Sequence, residues 1–337
     1  TRAFLYDRLL YVDRYSLLFK ALFTGVGFAV VLMSVDYVGR KMSHPGEYYA
    51  LVVFAVLGAD LMASSGELLT AFISIELLSF SLYVLVALAR GDRRSAEAST
   101  KYILLGAISS AVMLYGISLL YGAIGATAFS AMTPHLGAIM PLTVILGLVM
   151  FVAGLAFKLS IAPFHLWAPD VYEGSPTPIT ALIAVLSKAA AFALLLRFLA
   201  EAAPNAVGEW QLPLAILAAL TMTVGTLTAL AQTNIKRLLA YSSIAQVGFV
   251  LVGVVALSEA AANAVLLHLV GYAFTNMAAF MVVIAVEART GKEEVAGYAG
   301  LASRNPFLAM VMTASLFSLA GLPIFAGFIT KFYLFTA

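Results

Sequence analysis

Apolar runs of roughly twenty residues, each closed by a short polar stretch, fill almost the whole chain. They neither alternate as half-buried strands do nor leave the broad polar stripe of a surface helix. Crossing a hydrocarbon layer about 30 Å thick takes about 20 such residues wound as a helix. On that ruler about ten spans fall near 15–36, 48–65, 67–89, 98–121, 141–161, 177–200, 211–231, 238–257, 261–286 and 307–337. The pattern predicts an all-α, polytopic membrane protein with a single membrane domain over 1–337. Residues 64–67, Ser-Ser-Gly-Glu, leave room only for a tight helical hairpin, with a serine or glycine capping the next helix ahead of Glu67.

Two spans carry a break. The fifth runs into Pro163 and is followed by Pro169, Pro176 and Pro178; the tenth holds Gly321-Leu322-Pro323 in its middle. Proline removes a backbone donor and clashes with the preceding turn. At membrane depth such a break survives only where protein or a water-filled cavity satisfies the freed groups. The two breaks are five spans apart, and an odd offset sets corresponding helices in opposite directions, as in an inverted repeat. Repeats are therefore expected over about 48–200 and 211–337, the second incomplete.

Composition sharpens this picture. The chain is 63% apolar and 11% charged, with a mean hydropathy of +1.01, whereas soluble domains are about 45–50% apolar and about 25% charged. A net charge of +2 offers no basic stripe for nucleic acid. With no cysteine, disulfides, thiolate metal sites, iron–sulfur ligation and c-type haem attachment are excluded, and His44, His135, His165 and His268 lack metal-ligand spacing. No cofactor or metal is expected in this chain. The start at Thr1 and the end at Ala337 inside an apolar stretch read as a piece of a longer protein. By alternation, one face of the membrane holds Arg40, Lys41, Arg90, Arg93, Arg94, Lys236, Arg237, Arg289, Lys292 and Arg304, and the other Arg2, Arg8, Arg14 and Arg197. The positive-inside rule makes the first face cytoplasmic.

Five charges stand out within spans: Asp60, Glu76, Lys158, Lys188 and Lys331. Each costs about 2.5–3.5 kcal/mol at a helix centre on insertion scales. Glu76 and Lys188 lie too deep to snorkel easily, so they are either functional or a buried structural pair. Lys158, just ahead of Pro163, could also snorkel. Lys331, near the chain end, reads on its residues alone as a snorkelling side chain, and Asp60 as a structural group beside the 64–67 hairpin. Lysines on discontinuous helices, with a carboxylate near and water between them, would make a switchable proton wire. Sodium would more naturally call for carboxylates and carbonyl oxygens.

Three stretches carry a resemblance: Leu77-Leu78-Ser79 after Glu76, the long run Phe157-Lys158-Leu159-Ser160-Ile161-Ala162-Pro163-Phe164-His165-Leu166-Trp167-Ala168-Pro169-Asp170-Val171-Tyr172-Glu173-Gly174, and Lys236-Arg237-Leu238-Leu239-Ala240-Tyr241-Ser242-Ser243-Ile244-Ala245-Gln246-Val247-Gly248. They resemble the antiporter-like subunits of respiratory complex I, a family that also includes subunits of multisubunit sodium/proton antiporters and of membrane-bound hydrogenases. Leu10-Tyr11-Val12-Asp13 extends the likeness ahead of the first span. The resemblance implies a fold of fourteen helices, of which these would be the third to twelfth. It implies that Glu76 pairs with Lys158 of a broken helix, that Lys188 links two half-channels, and that Lys331, in Gly327-Phe328-Ile329-Thr330-Lys331-Phe332, is the proton-exit lysine of the second broken helix. Gln246 and Tyr272 stand where the two larger complex I members carry histidine, which points to their smaller sibling. His165, Lys236 and His268 are possible accessories, although His268 matches no family position.

The function so implied is proton translocation across a bacterial inner membrane by a multi-pass, non-redox subunit of a quinone-reducing NADH dehydrogenase. NADH, FMN, iron–sulfur clusters and quinone are then expected in partner subunits, and the partners are other membrane subunits, neighbouring antiporter-like ones included, and the lipid bilayer. A subunit of a multisubunit cation/proton antiporter or a membrane-bound hydrogenase is the near alternative. A solute permease should show a polar, substrate-sized cavity near the breaks, and a pure scaffold leaves Glu76 and Lys188 without a purpose.

Overall fold

The computed structural model describes all residues except 1, 2, 7, 42–44, 90, 138 and 257. Arg2, His44 and Arg90 thus lie outside the described residues, as do the side chains of Arg40 and Lys41. The predicted spans are helices. In chain order they are α1 (Arg14–Lys41), α2 (Pro45–Ser64), α3 (Leu68–Ala87), α4 (Arg93–Ile124), α5 (Leu142–Leu159), α6 (Trp167–Gly174), α7 (Thr177–Glu201), α8 (Val207–Leu230), α9 (Ile235–Ala256), α10 (Glu259–Thr290), α11 (Pro306–Ala320) and α12 (Ala326–Thr336). Among the described residues nine helices are long and apolar enough to cross a membrane; the tenth predicted span is the two short halves α11 and α12.

Helix α7 is the hub. Nearly every residue from Thr177 to Leu195 is buried, whereas α8 presents most of its surface outward. A helix apolar on all sides and enclosed on all sides belongs to the centre of a bundle. Around it, α2 and α3, α4 and α5, and α8 and α9 pack as neighbouring pairs, α6 sits against α4 and α9, and α11 and α12 lean on α10. Within α7, Ile183–Ser187 forms one π-helical turn, a distortion frequent at functional sites, and it ends at Lys188.

Two local features depart from the sequence reading. Residues Ala3–Leu5 and Leu10–Val12 pair as a small antiparallel hairpin, β1 and β2, where no strand was expected. The cap of α3 is Glu67 itself, whose carboxylate accepts from the amides of Leu69 (2.9 Å) and Thr70; the serine or glycine expected ahead of it does not serve. A carboxylate satisfies two orphan donors and faces the positive end of the helix dipole, which a serine does less well.

The two ends of the bundle differ in chemistry. At one end Asp13, just ahead of α1, meets the Arg197 guanidinium through two bonds of 2.9 Å. Arg197 also donates to the Ala63 carbonyl (3.0 Å) and lies over the rings of Tyr11 and Tyr15. Burial alone would raise the Asp13 carboxyl, but Arg197 and the Ser16 amide outweigh it and hold it at about 2. At the other end Lys236 pairs with Glu293 (2.7 Å), Arg94 with the same carboxylate (3.6 Å), and Arg237 with Asp170 and Glu173 (2.7 and 2.9 Å). Arg197 and the group of Arg94, Lys236 and Arg237, assigned to opposite membrane faces by alternation, thus lie at opposite ends.

Candidate proton-relay site

Helix α5 stops where Ser160 takes a left-handed backbone (φ 60°), and the amides of Ser160 and Ile161 fold back onto the Phe157 and Ala156 carbonyls. After the stretch containing Pro163, α6 resumes at Trp167, whose indole Nε1 donates to the same Phe157 carbonyl (2.9 Å). The freed backbone is thus satisfied by protein, as a break at membrane depth demands.

Lys158, two residues ahead of this stop, is 3% exposed. Its Nζ donates to Ser79 Oγ (2.6 Å) and to the Tyr83 hydroxyl (3.1 Å), both on α3. Glu76 lies one turn earlier on the same face of α3 and accepts from Ser110 Oγ of α4 (2.5 Å). No ion pair within 4.0 Å joins Glu76 to Lys158 here: Ser79 and Tyr83 hold the lysine, and Ser110 the carboxylate. Helical spacing explains the arrangement: positions 76, 79 and 83 stack on one stripe facing α4 and α5.

Lys188 is 2% exposed and donates to Ser243 Oγ of α9 (2.6 Å). That serine donates in turn to the Ala240 carbonyl (2.7 Å), with the Tyr172 hydroxyl at 3.4 Å. The π turn ahead of Lys188 leaves the Ala184 carbonyl to accept from the Tyr272 hydroxyl (3.1 Å). Tyr272 therefore closes this distortion from α10.

The second break repeats the first in outline. Gly321 is left-handed (φ 83°), and both Gly321 and Leu322 donate to the Phe317 carbonyl (3.0 Å each). Lys331, on α12, donates to the Leu319 carbonyl (2.6 Å) and lies over the Phe249 ring. Gln246 donates to the same carbonyl (2.7 Å). Pro163 and Pro323 both fall within the interrupted segments.

The remaining candidates are placed apart from these lysines or beside them. His165 lies in the first break, largely buried, with Nδ1 unpartnered. His268 meets Thr330 Oγ1 (2.9 Å), one residue before Lys331, while its Nε2 has no partner. Lys236 belongs to the charged end of the bundle, bonded to Glu293 and the Ser175 carbonyl. Asp60 is half-buried near the hairpin end, with Oδ1 unpartnered. Sequence reasoning missed the hydroxyls of Ser79, Tyr83, Ser110, Ser243 and Tyr172. The spacing of Ser79 and Tyr83 from Glu76 was the available signal for two of them; Ser110, Ser243 and Tyr172 come from other helices and carry none.

Residues 65–337 match the family described as NADH:quinone oxidoreductase/Mrp antiporter, transmembrane. The NADH-quinone oxidoreductase subunit N of Heliobacterium modesticaldum is 45% identical over 333 residues, covering 98% of this chain and 70% of that protein. Among solved structures, a chain of respiratory complex I from Thermus thermophilus superposes with a TM-score of 0.80 at 37% identity, over 100% of this chain and 71% of its own. A chain of an archaeal membrane-bound sulfane sulfur reductase gives 0.88 at 29%, over 97% and 67%. With a matched segment that takes in both broken helices together with Lys158, Lys188 and Lys331, the chain belongs to the NADH:quinone oxidoreductase/Mrp antiporter family of transmembrane subunits.

Proposed function

We propose that this chain translocates protons across the bacterial cytoplasmic membrane as a non-redox, multi-pass subunit of NADH:quinone oxidoreductase, through a relay of Glu76, Lys158, Lys188 and Lys331. The observation that carries the reading is the burial of Lys158 and Lys188 within the bundle, each bonded to a serine hydroxyl and to no carboxylate. A structural ion pair would place a carboxylate against each ammonium, because an unpaired buried charge is expensive. A group that must take up and release a proton is better served by neutral, reorientable partners. NADH, FMN, iron–sulfur clusters and quinone belong to partner subunits in this reading, and the partners in the membrane are other complex I subunits, neighbouring antiporter-like ones among them.

The test is proton pumping by the assembled complex in vesicles with Lys188→Ala. Loss of pumping with intact assembly supports the relay; wild-type pumping removes Lys188 from it. The likeness to the archaeal sulfane sulfur reductase favours one further reading, service in a related ion-translocating complex with a different electron acceptor. Copurification of the neighbouring subunits separates the two: NADH-oxidising partners support the first reading.

A further inference from the structure

The two acceptors that hold Lys158 are not equivalent. Ser79 gives its own proton to the Ile75 carbonyl (2.5 Å), so toward the lysine it offers only a lone pair. The Tyr83 hydroxyl accepts from Lys158, and no backbone carbonyl among the described residues takes its proton. A phenol so placed can accept from an ammonium or donate to a neutral amine. Its ring is fixed edge-on against Tyr102 (centroids 4.6 Å), which stacks on Trp167 (4.6 Å), the residue that caps the Phe157 carbonyl beside Lys158. The hydroxyl fits only because residue 106 of α4 is glycine: a Cβ there would overlap it. Neither of the other lysines has such a partner within reach, since Tyr172 stands behind Ser243 and Lys331 faces a carbonyl and a phenylalanine ring.

We propose that Tyr83 is a positioning residue for Lys158, its hydroxyl seated over Gly106 and holding the amine against α3 in both protonation states by reversing one hydrogen bond. The proposal rests on the relay reading. In the charged state Lys158 Nζ donates to the tyrosine oxygen. Once the lysine has passed a proton to the next acceptor, the Tyr83 O–H donates to the Nζ lone pair. Tyrosine keeps its own proton throughout, so no tyrosinate forms and the residue carries no net proton. Ser79 could do the same only by abandoning Ile75.

The test compares Tyr83→Phe, which keeps the ring and removes the hydroxyl, with Tyr102→Phe, which removes a hydroxyl one ring away. Protons pumped per NADH oxidised, uncoupled NADH oxidation and assembly are measured on the whole complex in vesicles. Tyr83→Phe is expected to lower pumping about fivefold, the equivalent of a hydrogen bond of about 1 kcal/mol, with uncoupled oxidation and Tyr102→Phe near wild type. Wild-type pumping by Tyr83→Phe, or equal losses in both variants, overturns the proposal. Should Tyr83→Phe not assemble, Gly106→Ala decides: it keeps the hydroxyl but expels it from its seat, and wild-type pumping there is equally fatal. Lys158→Ala in the same assay separates the levels. If it pumps normally the relay itself is wrong, whereas its loss beside an unaffected Tyr83→Phe rejects only the role of Tyr83.

Discussion

The two broken helices solve one backbone problem in two ways. In each, the first half ends on a left-handed residue, Ser160 or Gly321, and frees carbonyls that need donors in a medium without bulk water. At the first break the Phe157 carbonyl is taken by the Trp167 indole, so Lys158 is released to bond side-chain hydroxyls on a neighbouring helix. At the second break the Leu319 carbonyl is taken by the lysine itself, together with Gln246. The chain runs through the breaks in opposite directions: α6 reaches the charged end at Asp170, whereas α12 ends beside Ser258, at the other end. Lys158 precedes its break and Lys331 follows its own. Which group caps the freed carbonyl thus decides whether the lysine faces a partner that can reverse its hydrogen bond or one that only accepts.

The largest expected effect belongs to the relay itself. Lys158→Met and Lys331→Met should each abolish pumping in vesicles; Trp167 still holds the Phe157 carbonyl in the first and Gln246 the Leu319 carbonyl in the second, so both variants should assemble. If Lys331→Met pumps at the wild-type rate, the second break is structural and the comparison fails.

Next in size is the clamp that fixes α7 outside both breaks. Asp13→Asn strips the buried Arg197 of its counter-charge, and breaking such a pair costs about 3–5 kcal/mol, seen as a lowered melting temperature of the complex in detergent. The sign with pH follows from the Asp13 carboxyl, which folding lowers from its usual 3.8 to about 2. Its stabilisation is full above the unfolded value and is lost as pH falls through the folded one. The difference between wild type and Asp13→Asn should therefore shrink between about pH 4 and pH 2; a constant difference would show that Asp13 is not held in this way.

Gly327→Ala probes how closely the halves of the second break approach, since a Cβ there would overlap the Ser318 carbonyl. Overpacking of this kind costs about 1–3 kcal/mol, so assembly should fall, and normal thermal stability would show that α12 has room to shift. Trp167→Phe keeps an aromatic ring against Tyr102 but leaves Phe157 without its indole donor, at about 1–2 kcal/mol. The smallest effect, about 1 kcal/mol or less, is expected for Gln246→Leu, because Lys331 continues to satisfy Leu319. If Gln246→Leu proves more damaging than Trp167→Phe by thermal shift, the assignment of capping roles at the two breaks is reversed.

Much of the frame was legible along the chain. The apolar runs mark their helices, Pro163 and Pro323 mark the interruptions, and Glu76, Lys158 and Lys188 are conspicuous as charges deep in apolar surroundings. The hairpin of β1 and β2 was not legible, because three-residue strands carry no periodicity to detect. Nor was the cap at Glu67, since Ser64, Ser65 and Gly66 are all plausible caps by type and only the backbone geometry selects among them.

What the sequence determined by itself is the solvent and the spacing: runs long enough for the bilayer, breaks where proline cannot continue a helix, and ionisable groups placed where they cost most. Tertiary structure decided the partners. Ser243 lies 55 residues from Lys188, and Ser79 lies 79 from Lys158, so no local pattern ties either serine to its lysine. The same holds for the separation of Glu76 from Lys158, which depends on how α3 is set against α4 and α5 in the packed bundle. Hydropathy acts on each segment alone, whereas a hydrogen bond 2.6 Å long exists only after the helices have packed.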